Sequence, residues 1–157
     1  MFDLCSIIST DDLVEFSDVD GPMGLQSGII VNDKDRRTIL VQTISDDRKN
    51  PYPNEWDDKI PGMIHYCATR KGLSTSISKI NLDSRLNKHV NLNIFPIFLF
   101  VRYPNKTFRF MGEFIRLPRY DRGYFVSEGK EGYMFALISK NIDSIEDYID
   151  GIKNMSK

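Results

Sequence analysis

The chain has 157 residues, of which 41% are hydrophobic and 27% are charged, and this composition predicts one globular domain over residues 1–157. It excludes a disordered tail, a collagen and a coiled coil. The longest apolar run, residues 94–101, is too short to span a bilayer, and the acidic N-terminus does not resemble a secretory signal. We therefore expect a cytoplasmic protein with no membrane partner.

The charged residues are unevenly distributed along the chain, although the net charge is only −1. Basic side chains number 5 against 13 acidic ones in residues 1–58, 12 against 3 in residues 59–123, and 4 against 6 in residues 124–157. A strongly basic middle segment is typical of a surface that binds phosphates. The alternative interpretation is that the acidic and basic segments pair with each other across the fold.

Six short segments rich in β-branched and aromatic residues predict strands. They are, in chain order, residues 28–31, 38–44, 63–68, 94–102, 108–117 and 133–138. Turn residues at 32–35 separate the first two strands, and turn residues at 103–106 separate the fourth and fifth. Pro96 lacks an amide donor, so we expect its strand to lie at a sheet edge or to bulge at this position.

Helical patterns occur before, between and after these strands. Thr10, followed by two aspartates, predicts a short N-terminal helix, and residues 76–90 carry apolar residues at mixed helical spacing. Asp143 and Glu146 resemble a capping box. It overlaps an i, i+3, i+4, i+7 stripe of Ile145, Tyr148, Ile149 and Ile152. These elements predict an α+β domain with a curved, mostly antiparallel sheet or a small barrel and two or three peripheral helices.

The sequence contains none of the common catalytic or nucleotide-binding motifs. Its two cysteines and two histidines lack the spacing of a disulfide framework or a zinc site. Cys67 and His65 share a strand face, but a nucleophile would need a third, orienting group, so a structural thiol is the favoured interpretation. We predict no catalytic residue, no metal and no cofactor.

One acidic cluster keeps a nuclease hypothesis open. Asp121 with Glu128 and Lys130 has the acidic-x-Lys spacing with which metal-dependent nucleases hold a divalent ion beside a lysine. The glycines around these residues are equally typical of a surface loop.

Four segments occur in an order that resembles a known family. They are residues 50–57 (NPYPNEWD), 63–72 (MIHYCATRKG), 94–100 (IFPIFLF) and 108–113 (FRFMGE). This order is similar to that of the SRA-like, or YDG, family, which is related to the PUA fold and occurs in modification-dependent restriction proteins. The resemblance spans about residues 28–138. Ala68 replaces a glycine of the family pattern and residues 72–76 lack its acidic residue, so the identity of the recognised base stays open.

The resemblance implies a module that binds double-stranded DNA carrying a modified base, such as 5-methylcytosine, and flips that base into a pocket. Family members act for a nuclease carried on another domain or subunit. Tyr66 is implied as the stacking ring and Trp56 as a second wall, although both aromatics are also typical of a core. The other implied pocket residues are Cys67, Ala68, Thr69, Ser74 and Thr75.

Cations at exposed or edge positions are expected to contact the DNA phosphates. The candidates are Arg70, Lys71, Lys79, Arg85, Lys88, Arg116, Arg119 and Arg122. The main alternative is a PUA-like domain that binds structured RNA with the same basic face.

Overall fold

The computed structural model describes residues 1–44, 54–69, 80–125 and 131–155. These residues form nine strands: β1 (Ile7–Ile8), β2 (Ile29–Asn32), β3 (Arg37–Thr43), β4 (Glu55–Trp56), β5 (Met63–Cys67), β6 (Ile97–Arg102), β7 (Phe108–Arg116), β8 (Arg122–Phe125) and β9 (Glu131–Ser139). They also form the α-helices α1 (Thr10–Ser17), α2 (Arg85–Asn91) and α3 (Ile142–Met155), and 3-10 helices at Pro22–Ser27 and Pro118–Tyr120. Among the described helices, none is both long and apolar enough to cross a membrane.

The predicted strands and helices are confirmed. The six predicted strands correspond to β2, β3, β5, β6, β7 and β9. The three additional strands have two to four residues each, too few to show an alternating pattern. The middle helix begins only at Arg85, and α3 begins at Ile142, so Asp143 lies in its first turn instead of at the N-cap.

The strands form one mixed, mostly antiparallel sheet in the order β2-β3-β6-β7-β9-β5-β4. In addition, β1 pairs with β7 and β8 pairs with β9, and the β3–β6 pair is parallel. The end of β5 therefore lies beside the start of β9, at the same end of the sheet as the end of β7 and the starts of β6 and β3. We call this the Thr69 end, after the last described residue that follows β5.

The α+β fold predicted from the sequence is confirmed, with a core in two layers. Alternation along β6 directs Ile97, Leu99 and Val101 into an inner cluster, and Phe98 and Phe100 into an outer one. Helix α3 covers the inner cluster with three of the four residues of its predicted stripe, while α1 packs on the outer cluster. Each fully buried aliphatic side chain stabilises the fold by roughly 1.5–3 kcal/mol.

Pro96 and Gly112 explain two local features of the central strands. The expectation of an edge or a bulge at Pro96 is wrong, because β6 lies between β3 and β7 and begins only at Ile97. Pro96 directly precedes β6, where its carbonyl accepts a 2.9 Å hydrogen bond from the Thr38 amide, so its missing donor interrupts no ladder. The register of β6 against β7 shifts between Leu99 and Phe100. The extra residue of this bulge is Met111 on β7, and the adjacent Gly112 has φ +89°. A Cβ at Gly112 would lie 2.8 Å from Leu4 Cδ1, so both the backbone conformation and the available space require glycine.

Candidate nucleic-acid interface

The chain leaving β5 is held at the Thr69 end by three hydrogen bonds to its backbone. The Cys67 amide donates to Asn54 Oδ1 at 2.7 Å, and the Ala68 amide donates to the Tyr133 carbonyl at 2.8 Å. The Thr69 amide donates to Asn87 Oδ1 at 2.9 Å. The main-chain amides of these three implied pocket residues are thus already paired within the protein.

Asn87 of α2 fixes this position from the helix side. Its side chain is fully buried, and its Nδ2 donates at 2.9 Å to the carbonyls of both Thr69 and Asn81. An asparagine carries two donors and one acceptor group in a plane, so it can satisfy a peptide N–H and a peptide C=O together. Asn87 therefore joins the chain after β5, at Thr69, to the chain before α2, at Asn81.

Three segments, residues 45–53, 70–79 and 126–130, lie outside the described residues. Asn54 follows the first segment, Thr69 precedes the second, and the Phe125–Glu131 strand pair flanks the third. The predicted pocket residues Ser74 and Thr75 lie outside the described residues. The same holds for the predicted phosphate contacts Arg70, Lys71 and Lys79.

The structure corrects the stacking role predicted for Tyr66. The residue is 2% exposed and packs in the inner cluster. Its hydroxyl accepts from the Val41 amide at 3.1 Å and lies within hydrogen-bond distance of the Gly28 and Val41 carbonyls. Alternation along β5 turns this ring inward, so neither of its faces is open to a base.

The wall predicted from Trp56 is corrected for the same reason. Its side chain is 4% exposed, and its indole N–H donates to Gln42 Oε1 at 3.0 Å across the inner cluster. Its ring packs against Phe114, with 6.0 Å between the ring centroids. The strand order leaves the sheet open between its edge strands β2 and β4. Trp56 on β4 and Tyr66 on β5 bridge this opening, because both side chains form hydrogen bonds to β3.

Cys67 and Ala68 are buried as well. Cys67 is 3% exposed, and burial raises the pKa of its thiol to about 12 despite a hydrogen bond from Tyr124. A thiol with so high a pKa is not a nucleophile near neutral pH. Ala68 is fully buried and Thr69 is 5% exposed. These residues position the chain and offer no described surface to a ligand.

His65, which shares a strand face with Cys67, is engaged by a carboxylate. Its Nε2 lies 2.8 Å from Asp57 Oδ2, and the ring is 3% exposed. Burial acts to raise the pKa of Asp57, but the hydrogen bonds from His65 and from the Ile60 and Lys59 amides outweigh it and lower the pKa to about 2. Asp57 is therefore ionised and stabilises the turn that precedes β5.

Arg116 is not a phosphate contact, which corrects another sequence prediction. Its side chain is 4% exposed and forms a two-pronged ion pair with Asp121, while Nη2 donates to Asn91 Oδ1 at 3.0 Å. Asp121 also accepts from the Tyr133 hydroxyl and, at 2.8 Å, from the Ala136 amide. Burial, then the hydrogen bond and negative charge of Asp121, raise the pKa of Tyr133.

This network bears on the nuclease hypothesis. Asp121 is held by a guanidinium, a phenol and a main-chain amide, so both carboxylate oxygens are in use as the structural link between β7, β8 and β9. Glu128 and Lys130 lie outside the described residues. The position of Asp121 favours the structural interpretation over metal binding.

Four of the predicted phosphate contacts are exposed at the Thr69 end. Arg85 and Lys88 lie one turn apart on α2, while Arg119 and Arg122 flank the start of β8. Arg85 pairs with Asp33, and Arg122 Nη2 lies 3.3 Å from Glu55 Oε2. Both pairs are exposed, so their net contribution to stability is small and a phosphate can replace the carboxylate.

Sequence reasoning missed two further cations at this end. Lys34 and Arg36 are exposed on the turn between β2 and β3, which lies at the start of β3. The Arg36 guanidinium lies 5.3 Å from the centre of the Phe95 ring. The net acidic count of residues 1–58 concealed them, but Lys34 lies within the turn predicted at 32–35 and Arg36 directly follows it, which was a usable signal of exposure.

Together these features define an end of the sheet with a rigid frame and exposed cations. Sequence searches match no protein-family model and no curated protein. Among solved structures, the SUVH5 SRA domain in complex with fully methylated CG DNA superposes with a TM-score of 0.56 at 14% identity, over 87% of this chain and 88% of that chain. The modification-dependent TagI restriction endonuclease superposes with a TM-score of 0.56 at 16% identity, over 87% of this chain and 49% of that chain.

These comparisons establish the fold class. The chain has an SRA-like α+β fold, as the order of its sequence segments predicted. KRYPTONITE in complex with mCHH DNA, an H3 peptide and SAH shares it as well, with a TM-score of 0.55 at 13% identity over 88% of this chain and 32% of that chain. The chain thus spans about half of the TagI endonuclease and a third of the KRYPTONITE chain.

Proposed function

We propose that this chain is a DNA-binding module that recognises a modified base, with a modified cytosine as the first candidate. The observation that carries the proposal is the fold shared, over nearly the whole of both chains, with the SUVH5 SRA domain solved on fully methylated CG DNA. Structures of that domain on hemimethylated and on hydroxymethylated CG DNA share the fold equally well. The exposed cations at the Thr69 end supply the charge that duplex binding requires.

In this proposal, base flipping relies on residues other than Tyr66 and Trp56. Both rings are buried, and the amides of residues 67–69 are paired within the protein. The base-reading role is therefore assigned to Ser74 and Thr75, whose segment begins directly after the fixed position of Thr69. Arg70 and Lys71, at the start of the same segment, are assigned to the adjacent phosphates.

The test is a binding titration by fluorescence anisotropy with duplexes of one sequence. They carry unmodified, hemimethylated, fully methylated or hydroxymethylated cytosine at one CG step, and an RNA hairpin is added as a fifth probe. We expect tighter binding to at least one modified duplex than to the unmodified one, by about tenfold or more. Paired substitution of Ser74→Ala and Thr75→Ala should reduce this ratio, while Lys106→Gln, at the opposite end of the sheet, should leave it unchanged.

Equal affinity for modified and unmodified duplexes would reject modified-base recognition. Preferred binding of the RNA hairpin would support the PUA-like alternative instead.

The proposal includes a nuclease on another domain or subunit. The modification-dependent TagI restriction endonuclease supports it, since this fold accounts for about half of that chain. Co-purification of the protein with its native partners, followed by a cleavage assay on modified plasmid, tests this part. Cleavage by the isolated chain would contradict the assignment to a separate nuclease.

A further inference from the structure

The acidic N-terminal part of the chain contacts the basic middle part through an exposed ion pair at the Thr69 end. Arg85, at the start of α2, pairs with Asp33 on the turn between β2 and β3. The side chains are 56% and 64% exposed. Nothing in the fold requires this pair, because neither side chain is buried and exposed pairs contribute little to stability.

The surroundings of the pair are rich in exposed cations. Lys34 and Arg36 lie on the same turn as Asp33, and Lys88 lies one turn after Arg85 on the same face of α2. The neighbouring acidic residue Asp35 is already paired with Arg37, at 3.7 Å. Asp83, before α2, is the other exposed carboxylate close to Arg85 along the chain.

A carboxylate on a guanidinium uses the same donors as a phosphate group does. We propose that Lys34, Arg36, Arg85 and Lys88 form a second phosphate-contact surface, in which Asp33 occupies the phosphate position on Arg85 until DNA displaces it. The inference rests on the proposed DNA binding. Asp33 thereby lowers affinity for any nucleic-acid backbone, and a larger share of the binding free energy must come from the modified base.

The test compares Asp33→Asn, Arg85→Ala and the double variant with the wild type on modified and unmodified duplexes over a range of salt concentrations. Asp33→Asn should strengthen binding to both duplexes about two- to fivefold, as expected when an exposed pair no longer has to be broken. The slope of log affinity against log salt should become steeper by up to about 0.9. Arg85→Ala should weaken binding and make the slope shallower, and in its background Asp33→Asn should have little effect.

Asp147→Asn, an exposed charge change on α3, is the matched control for net charge. An equal gain from Asp147→Asn, a gain from Asp33→Asn that persists without Arg85, or no gain at all would overturn the inference. Thermal melts confirm that each variant is folded. The ratio of the affinities for modified and unmodified DNA separates the two proposals. If the protein shows no preference for modified DNA but Asp33→Asn still strengthens binding, only base recognition is rejected. Absence of binding to every duplex rejects both.

Discussion

The hydroxyl of Tyr66 connects β5 to the backbone of β3 and to the residue before β2. It accepts from the Val41 amide at 3.1 Å and lies 2.8 Å from the Val41 carbonyl, with the Gly28 carbonyl also in contact. The two bonds to Val41 are buried, so removing the hydroxyl takes away hydrogen bonds that water does not replace, while the Val41 amide keeps its 3.0 Å bond to the Gly28 carbonyl. One atom thus links strands that are not neighbours in the sheet.

Tyr66→Phe is expected to lower the free energy of unfolding by about 1–2 kcal/mol, because it removes this buried hydroxyl. Tyr66→Ala should cost about 3–5 kcal/mol, because a cavity is added. Chemical denaturation measures both. The preference for modified DNA should persist in folded Tyr66→Phe protein. A Tyr66→Ala variant that melts like the wild type but has lost the preference would restore the stacking role.

The lowered pKa of Asp57 predicts that the protein loses stability in acid. Its pKa of about 2 lies below the usual aspartate value of 3.8, so its contribution is complete above pH 3.8 and is lost as the pH falls towards 2. Between these values we expect a loss of about 1 kcal/mol, allowing for solvent screening of the carboxylate. Asp57→Asn should reduce the slope of unfolding free energy against pH in this window. An unchanged slope would show that Asp57 does not carry the effect.

At the scale of elements, α2 connects the ends of two strands through side-chain hydrogen bonds. Asn87 binds the chain after β5, and Asn91 binds Arg116 at the end of β7. The two asparagines are four residues apart and therefore share one face of the helix. Arg85 and Lys88 project from the exposed side. A helix of seven residues thus orders the Thr69 end and also presents cations there.

Asn87→Ala should lower the free energy of unfolding by about 2–4 kcal/mol, because it removes the buried hydrogen bonds from Asn87 to the amide and the carbonyl of Thr69. DNA binding should weaken as well, since the segment that starts at residue 70 loses its anchor. The neighbouring Lys88→Ala is the control, with stability within about 0.5 kcal/mol of the wild type. Equal stability of the two variants would contradict the anchoring role.

At the scale of the whole molecule, part of the charge asymmetry is resolved by pairing. Arg85 with Asp33 and Arg122 with Glu55 join the basic middle segment to the acidic N-terminal part. This is the arrangement that sequence analysis kept open as the alternative to phosphate binding. Because the pairs are exposed, the two interpretations are compatible: the carboxylates neutralise the surface in the free protein, and in the proposed complex DNA phosphates would replace them.

Combined Arg70→Ala and Lys71→Ala should weaken binding to modified and unmodified DNA alike. The salt slope should become shallower by about 0.9 for each phosphate contact removed. Anisotropy titrations at several salt concentrations measure this change. A selective loss on modified DNA alone would assign the two residues to the base and not to the backbone.

The isolated chain should leave modified plasmid uncut in magnesium or manganese, since Asp121 is committed to Arg116, Tyr133 and Ala136. Gel electrophoresis after prolonged incubation is the measurement. Cleavage that disappears in Glu128→Ala would promote the nuclease hypothesis.

Local sequence patterns determined the secondary structure and the fold class. Strand alternation, the turns at residues 32–35 and 103–106 and the stripe on α3 are short-range signals, each set by the geometry of one element. They do not specify which side of a strand meets which other element. The same alternating pattern is therefore compatible with Tyr66 in a pocket and with Tyr66 in the core.

Tertiary structure decided the surroundings of the predicted site residues. Curvature of the sheet brings β5 and β4 opposite β3, so Tyr66 and Trp56 point inward and find buried polar partners there. The sequence presented Arg116 as a surface cation and Asp121 as a candidate metal ligand. In the structure their side chains form one buried ion pair that links neighbouring strands. The sequence by itself determined the elements, the fold class and the total charge. Only the fold decided which aromatics and charges face the solvent, because burial depends on contacts between residues far apart in the chain.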